Sequence, residues 1–198
     1  GAETINDRGK VAEPQGMWNS YLNSVRVLIV DDQDFIRSLV RHILGVLGCT
    51  NITDVPDGES AWEVIQDSPP DLLIVDWEMQ PMDGIELVNK IRNDTHSPDR
   101  FMPIVMLTAH SERPRIIAAR DAGVNEFVMK PISAKTLFSR LNAVIEHPRR
   151  FVRTGEYFGP DRRRKRVFVD FERRDTKKKE EVIDAPEADQ KMSQDEIN

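Results

Sequence analysis

Val25-Arg26-Val27-Leu28-Ile29-Val30-Asp31-Asp32 is a nearly unbroken aliphatic run that stops on two carboxylates. A short run this apolar, with no polar alternation, suits a strand covered on both faces. The same pattern returns downstream, where 52–55, 71–75, 103–107 and 126–129 read as further short strands. Helices are predicted between and after them, over 34–47, 58–67, 85–92, 111–122 and 133–146. In the first, Phe35, Ile36, Leu39, Val40, Ile43, Leu44 and Leu47 fall at helical spacing before Gly48. Pro69-Pro70 closes the second, Gly123 stops the fourth, and Ser133 is a cap residue for the fifth. Five strands alternating with five helices predict an α/β fold, a doubly wound parallel sheet with helices on both faces.

In such sheets ligands bind outside the carboxyl ends of the strands, where strand order reverses. Asp31 and Asp32 follow the first strand, Asp76 the third, Thr108 the fourth, and Lys130-Pro131 the fifth. Any one of these alone is an ordinary strand-end residue; all of them together predict a crevice. Three clustered carboxylates repel one another and need compensating positive charge. Mg²⁺ supplies it well, because it takes oxygen ligands and keeps several waters. Asp31, Asp32 and Asp76 are the candidate metal ligands, with Lys130 as a further positive charge at the rim.

The sequence of 198 residues has a net charge of −6, and that charge is partitioned. Residues 1–148 carry a net −8, residues 149–179 a net +8, and residues 180–198 a net −6. This divides the chain into an N-terminal extension (1–24), a globular body (25–148), a basic extension (149–179) and an acidic tail (180–198), the termini being expected to be flexible. Met17-Trp18 and Tyr21-Leu22 have the spacing of one apolar helical face, which suits a short helix docked on the body. A disordered leader fits the same residues. The single cysteine, Cys49, excludes an internal disulfide framework and a cysteine-rich zinc site. No apolar run approaches the roughly 18–20 residues that span a bilayer, and no signal peptide opens the sequence, so a cytoplasmic protein is expected.

The order Val30-Asp31-Asp32, then Asp76-Trp77-Glu78-Met79-Gln80-Pro81-Met82-Asp83-Gly84, then Thr108-Ala109, then Lys130-Pro131 resembles the CheY-like receiver domain of two-component response regulators. The resemblance spans about residues 25–147. It implies a flavodoxin-like sheet of order 2-1-3-4-5, and a non-enzymatic signalling protein whose Asp76 accepts a phosphoryl group from a histidine kinase or phosphotransfer protein. It further implies that the backbone carbonyl of Glu78 joins Asp31, Asp32 and Asp76 around Mg²⁺, that Lys130 pairs with the phosphoryl oxygens, and that Thr108 bonds to them once they are attached. Phe127, three residues before Lys130, takes the place of the aromatic switch. Pro131 is expected to follow a cis bond. Glu78 at the mouth either handles the hydrolytic water or is merely solvated, and His110 lies near the same mouth.

The basic extension is the less familiar part. Seven arginines and Lys165 between Arg149 and Arg166 interleave with Phe151, Tyr157 and Phe158, and Gly159-Pro160 reads as a tight turn. Val167–Phe171 alternates like an extended strand. The segment has no helix-turn-helix periodicity, so no DNA-binding domain is expected. Arginine grips phosphates and guanine edges with forked hydrogen bonds and stacks on planar bases. A receiver with a short arginine-rich extension containing Tyr-Phe-Gly-Pro-Asp-Arg-Arg-Arg resembles stand-alone alphaproteobacterial regulators, some of which bind cyclic di-GMP. That resemblance implies Arg153, Tyr157, Arg162, Arg163, Arg164 and Arg166 as ligand contacts. The alternative is a phosphate shuttle or sink in a phosphorelay, whose extension only docks partners or anionic polymers, with the acidic tail competing for its arginines.

Overall fold

The computed structural model describes residues 22–109, 112–155, 157–162 and 181–183. Five parallel strands form one sheet: β1 (Arg26–Val30), β2 (Asn51–Val55), β3 (Leu72–Asp76), β4 (Ile104–Thr108) and β5 (Glu126–Met129). Their spatial order is β2-β1-β3-β4-β5, as the receiver resemblance implies. The helices are α1 (Asp34–Val46), α2 (Gly58–Asp67), α3 (Gly84–Asn93), α4 (Arg113–Ala122) and α5 (Ala134–Glu146).

Alternation along the strands sorts the core into two layers. Leu28, Val30, Leu73, Val75, Ile104 and Met106 face α2, α3 and α4. Val27, Ile29, Leu72, Ile74, Val105 and Leu107 face α1 and α5. Both faces are dry, which explains the lack of alternation in sequence. Leu22 and Val25 join the second layer, whereas Met17, Trp18 and Tyr21 lie outside the described residues. Ser133 caps its helix as expected, its Oγ accepting from Thr136 N (3.2 Å), and the Asp57 carboxylate, not singled out in the sequence, likewise accepts from Ser60 N (2.8 Å). Asp83 and Glu86 form a reciprocal capping box that starts α3. At the outer edge of the sheet, Asp54 on β2 binds both Arg41 and Arg37, which hold its carboxyl below the usual range.

Composition changes at Pro148, but packing does not stop there. β6 (Phe151–Thr154) and β7 (Tyr157–Pro160) form an antiparallel hairpin, and β8 (Glu181–Ile183) pairs with the free side of β6. The turn lies at Gly155, in the left-handed region at φ +57°. Gly159-Pro160, read from sequence as the turn, instead belongs to β7, with Gly159 opposite Val152. Val167–Phe171 lies outside the described residues.

The hairpin docks at the amino ends of β4 and β5. Phe151 and Phe158 close on Phe101 with ring centroids 5.1 and 5.4 Å away. Beneath them lies Arg92, fully buried at the end of α3. Its Nε and Nη2 donate to the Gly123 carbonyl (3.1 and 3.0 Å), Nη1 to the Arg100 carbonyl (2.8 Å), and Nη2 also to Asn125 Oδ1 (3.1 Å). Its guanidinium carbon sits 5.1 Å from the Phe151 ring centre. Burial lowers the Arg92 pKa to about 9. Glu126, buried at the start of β5, binds Arg140 and Arg149 and so fixes the chain as it leaves α5.

A Cβ on Gly159 would stand 2.7 Å from Tyr157 Oη and 3.0 Å from the Gly123 Cα. Gly159→Val is therefore expected to loosen the hairpin by roughly 1–3 kcal/mol while sparing the five-stranded sheet. Hydrogen exchange reads this directly: amides of 151–160 lose protection and those of β1 and β3 keep theirs. Equal protection of the hairpin in both proteins would contradict the docking described.

Candidate functional site

The carboxyl ends of the strands converge as the sequence pattern requires. Asp31 follows β1, Asp76 ends β3, Thr108 ends β4 and Lys130 follows β5. Carboxylate oxygens of Asp31, Asp32 and Asp76 lie within 4.8 Å of one another. Asp31 and Asp76 are buried while Asp32 is open to solvent. Lys130 Nζ bridges the two buried carboxylates, 3.0 Å from Asp31 Oδ2 and 2.9 Å from Asp76 Oδ1. Gln33 N donates to Asp31 Oδ1 (2.9 Å), and Arg37 Nη1 to the Asp31 carbonyl (2.6 Å).

The loop after β3 is held hard against the site. Gly84 N donates to the Trp77 carbonyl (2.9 Å), and a Cβ on Gly84 would fall 2.1 Å from the Asp76 carbonyl oxygen. No side chain fits there, so the turn carrying Trp77 and Glu78 can be this tight only with glycine. A groove opens from the carboxylates between this loop and α4, lined by Asp32, Trp77, Glu78, Met79, Gln80, Asp83 and Arg115. Arg115 reaches Glu78 across the mouth at 3.4 Å. Both side chains are exposed, so screening leaves the pair weak. The Lys130–Pro131 bond is cis, as expected, and so is Gln80–Pro81, which nothing in the sequence singled out.

The electrostatics are unbalanced. Burial raises the Asp76 carboxyl to about 6; the Lys130 hydrogen bond opposes that rise, and the Asp31 charge adds to it. Burial also works against the Lys130 ammonium, but its hydrogen bonds to Asp76 and Asp31 carry it above its ordinary value. Three carboxylates around one ammonium leave surplus negative charge. The donor set, all hard oxygen with one solvent-facing side, fits an octahedral divalent cation that keeps several waters.

The remaining sequence candidates divide between two places. Thr108 is fully buried at the strand end next to Asp76, and Phe127 is half-buried against the α2–α3–α4 layer. Arg153, Tyr157 and Arg162 are on or beside the hairpin, at the opposite end of the strands. Arg162 stacks on Tyr157 (3.9 Å to the ring centre) and pairs with Asp121 (3.3 Å). Tyr157 Oη donates to the Pro160 carbonyl (2.7 Å). Arg163, Arg164, Arg166 and His110 lie outside the described residues. Sequence reasoning missed Arg92 and Glu126, although Arg92, one helical turn beyond the buried Val88, occupies an inward position.

Because the folded Asp76 pKa exceeds the ordinary 3.8, the fold favours the protonated acid. That contribution is complete below about pH 4 and disappears as pH rises through about 6, so at pH 8 ionised Asp76 costs up to about 3 kcal/mol. Asp76→Asn, melted with EDTA at pH 8, is expected to unfold several degrees above the parent, the gap closing towards pH 4. Equal melting temperatures at both pH values would remove the surplus-charge account.

Comparison with known proteins agrees with this geometry. The family model described as "Response regulator receiver domain" matches residues 27–142. The chemotaxis protein CheY-3 of Vibrio cholerae is 36% identical over 123 residues, 62% of this chain and 93% of that protein. The chemotaxis protein CheY of Pseudomonas aeruginosa is 35% identical over 122 residues, covering 62% and 97%. Among solved structures, Vibrio cholerae CheY4 superposes with a TM-score of 0.56 at 31% identity, over 61% of this chain and 98% of that one. The receiver domain of a sensor histidine kinase of Pseudomonas aeruginosa, with a magnesium ion coordinated in its active-site cleft, gives 0.55 at 25% identity, over 62% and 98%. The buried acidic crevice, the order of the strands that build it and these matches together make this chain a member of the response regulator receiver family, with a CheY-like receiver domain.

Proposed function

We propose that this receiver is phosphorylated on Asp76 by a histidine kinase or phosphotransfer protein and that the acyl phosphate switches binding of a downstream protein partner. The observation that carries this reading is the pairing of Lys130 with both buried carboxylates, Asp31 and Asp76, within a three-carboxylate cluster. Asp76 Oδ attacks phosphorus, the phosphorus–nitrogen bond to the donor histidine breaks, and its electron pair leaves with the imidazole. The transferred group needs alignment and charge compensation and little else from the protein.

Asp31, Asp32, Asp76 and the Glu78 carbonyl would hold Mg²⁺, which offsets charge on the phosphoryl oxygens when bound. The magnesium ion coordinated in the active-site cleft of the related kinase receiver supports the choice of metal. Lys130 releases Asp76 and pairs with a phosphoryl oxygen as a point charge. Thr108, buried one strand away, donates its hydroxyl to the phosphoryl group, and Phe127 behind it fills the space that Thr108 vacates. This biases a two-state surface on α4, β5 and α5. Phe127 lacks a hydroxyl, so its inward state has no hydrogen bond to an outside partner to hold it.

The hairpin supports a second input. Its arginines stack on its own aromatic rings, Arg153 on Phe158 and Arg162 on Tyr157. That presents cationic planes suited to a guanine nucleotide such as cyclic di-GMP, with Arg163, Arg164 and Arg166 adding charge. A phosphate shuttle or sink remains the competing reading, and rapid back-transfer to a phosphotransfer protein, with no partner of the phosphorylated form, would favour it.

Acetyl phosphate with Mg²⁺ is expected to label the parent once and Asp76→Asn not at all; a retained single acyl-phosphate label in that variant would assign the nucleophile to another aspartate. Thr108→Val should still be labelled but lose most of the phosphorylation-dependent change in partner affinity. Calorimetry of cyclic di-GMP with the full chain is expected to give micromolar binding that Arg162→Ala weakens at least tenfold. No heat and no binding would leave the extension as a docking arm.

A further inference from the structure

Arg100 and Arg153 come from opposite sides of the seam between body and hairpin, yet their guanidinium groups stand over one ring. Arg100 lies in the loop between α3 and β4, with its guanidinium carbon 4.3 Å from the centre of Phe158. Arg153, on β6, has its own 5.3 Å from the same centre. Phe158 is buried, whereas Arg100 is half-buried and Arg153 exposed, so the two cations cover the ring from its solvent side.

Two like charges so placed repel. Arg100 Nε and Nη2 donate to the Arg92 carbonyl (3.1 and 2.6 Å), which holds its guanidinium in place without neutralising it. Among the described residues, neither arginine forms an ion pair with a carboxylate. The adjacent Asp99 is engaged elsewhere, accepting from Phe101 N (2.8 Å). Burial and the neighbouring Arg153 both lower the Arg100 pKa. Two guanidiniums gathered on one ring, one of them held by the Arg92 carbonyl, suit a tetrahedral oxyanion, which accepts forked, charge-assisted bonds.

The chain carries its own competitor. β8 runs antiparallel to β6, and Glu181 stands at the register position opposite Arg153. It belongs to the acidic tail, residues 180–198, with net charge −6.

We propose that Arg100 and Arg153 form an anion-binding site at the seam between receiver and hairpin, that it takes a phosphate group of a small molecule, and that the acidic strand β8 competes for it. This deepens the nucleotide reading of the extension by giving it a ligand from the receiver body, Arg100. It also stands without that reading, since inorganic pyrophosphate presents the same chemistry.

The test is calorimetry on the full chain with EDTA present, so that the acidic crevice binds no metal–phosphate complex, using inorganic pyrophosphate and cyclic di-GMP separately. The Arg153 side chain makes no hydrogen bond among the described residues, so Arg153→Gln probes the site while leaving the β6 ladder in place. Arg100→Gln probes it from the body, and Arg100→Lys keeps the charge while losing the fork. Lys135→Gln, on the exposed side of α5, is the control. The proposal expects pyrophosphate to bind, both Gln variants to weaken it at least tenfold, Arg100→Lys to be intermediate, the control to be unchanged, and Glu181→Gln to tighten it several-fold.

If cyclic di-GMP gives no signal while pyrophosphate behaves in this way, the anion site stands and the nucleotide reading falls. If cyclic di-GMP binds and neither Gln variant weakens it, the nucleotide reading stands and this site is overturned. Absence of binding by both probes, or equal weakening by Lys135→Gln, overturns the site. An unchanged affinity in Glu181→Gln overturns the role of β8.

Discussion

Too much negative charge is buried at one end of this molecule, and much of the structure serves to hold it there. Asp31 and Asp76 are withdrawn from water with one ammonium, Lys130, between them, while Asp32 completes the cluster at its open side. A parallel sheet makes such crowding possible, because every strand ends at the same edge and neighbouring connections leave in opposite directions. Local devices then keep the arrangement from relaxing. The capping box at Asp83 fixes where α3 begins, and the missing side chain at Gly84 lets that turn press on the backbone of Asp76. The crowding leaves the site short of positive charge, which a divalent cation held by these oxygens would offset.

The opposite end of the strands is organised around positive charge. Arg92 is buried, forms no ion pair with a carboxylate among the described residues, and is satisfied by two backbone carbonyls, one side-chain amide and an aromatic face. Carbonyl dipoles can solvate a guanidinium adequately when they converge, and here they come from segments that would otherwise be unconnected: the α3–β4 loop and the α4–β5 turn. The hairpin covers this hub with Phe151 and Phe158. The extension is thus seated on α3 and the end of α4, which it meets at Asp121 through Arg162 and at Gly123 through Gly159.

How far the sequence could be read follows from how local each signal is. The five strands and five helices were legible because buried parallel strands and amphipathic helices write their periodicity directly into the chain. Asp31, Asp32, Asp76 and Lys130 were legible because strand ends are predictable once the strands are. The hairpin was misread at Gly159-Pro160, whose local chemistry says turn. What decides that glycine is a tertiary approach to Gly123 and Tyr157, which no local pattern carries. Arg92 was missed because arginine at an inward helical position is ordinarily assumed to reach for solvent; its ligands lie some thirty residues away, at Gly123 and Asn125.

One feature of the sheet bears on how the protein behaves in a crowded solution. β2 is an outer strand, paired among the described residues only with β1. An outer strand with free backbone groups invites another chain to extend the sheet. Here Asp54 projects a charge from that strand, Arg37 and Arg41 lie across it, and Arg41 Nη1 already occupies the Ile52 carbonyl at 2.9 Å. A second molecule could add a strand only by stripping two arginines from an aspartate. The same three residues that complete the fold at this edge therefore also guard that edge against templated β-aggregation.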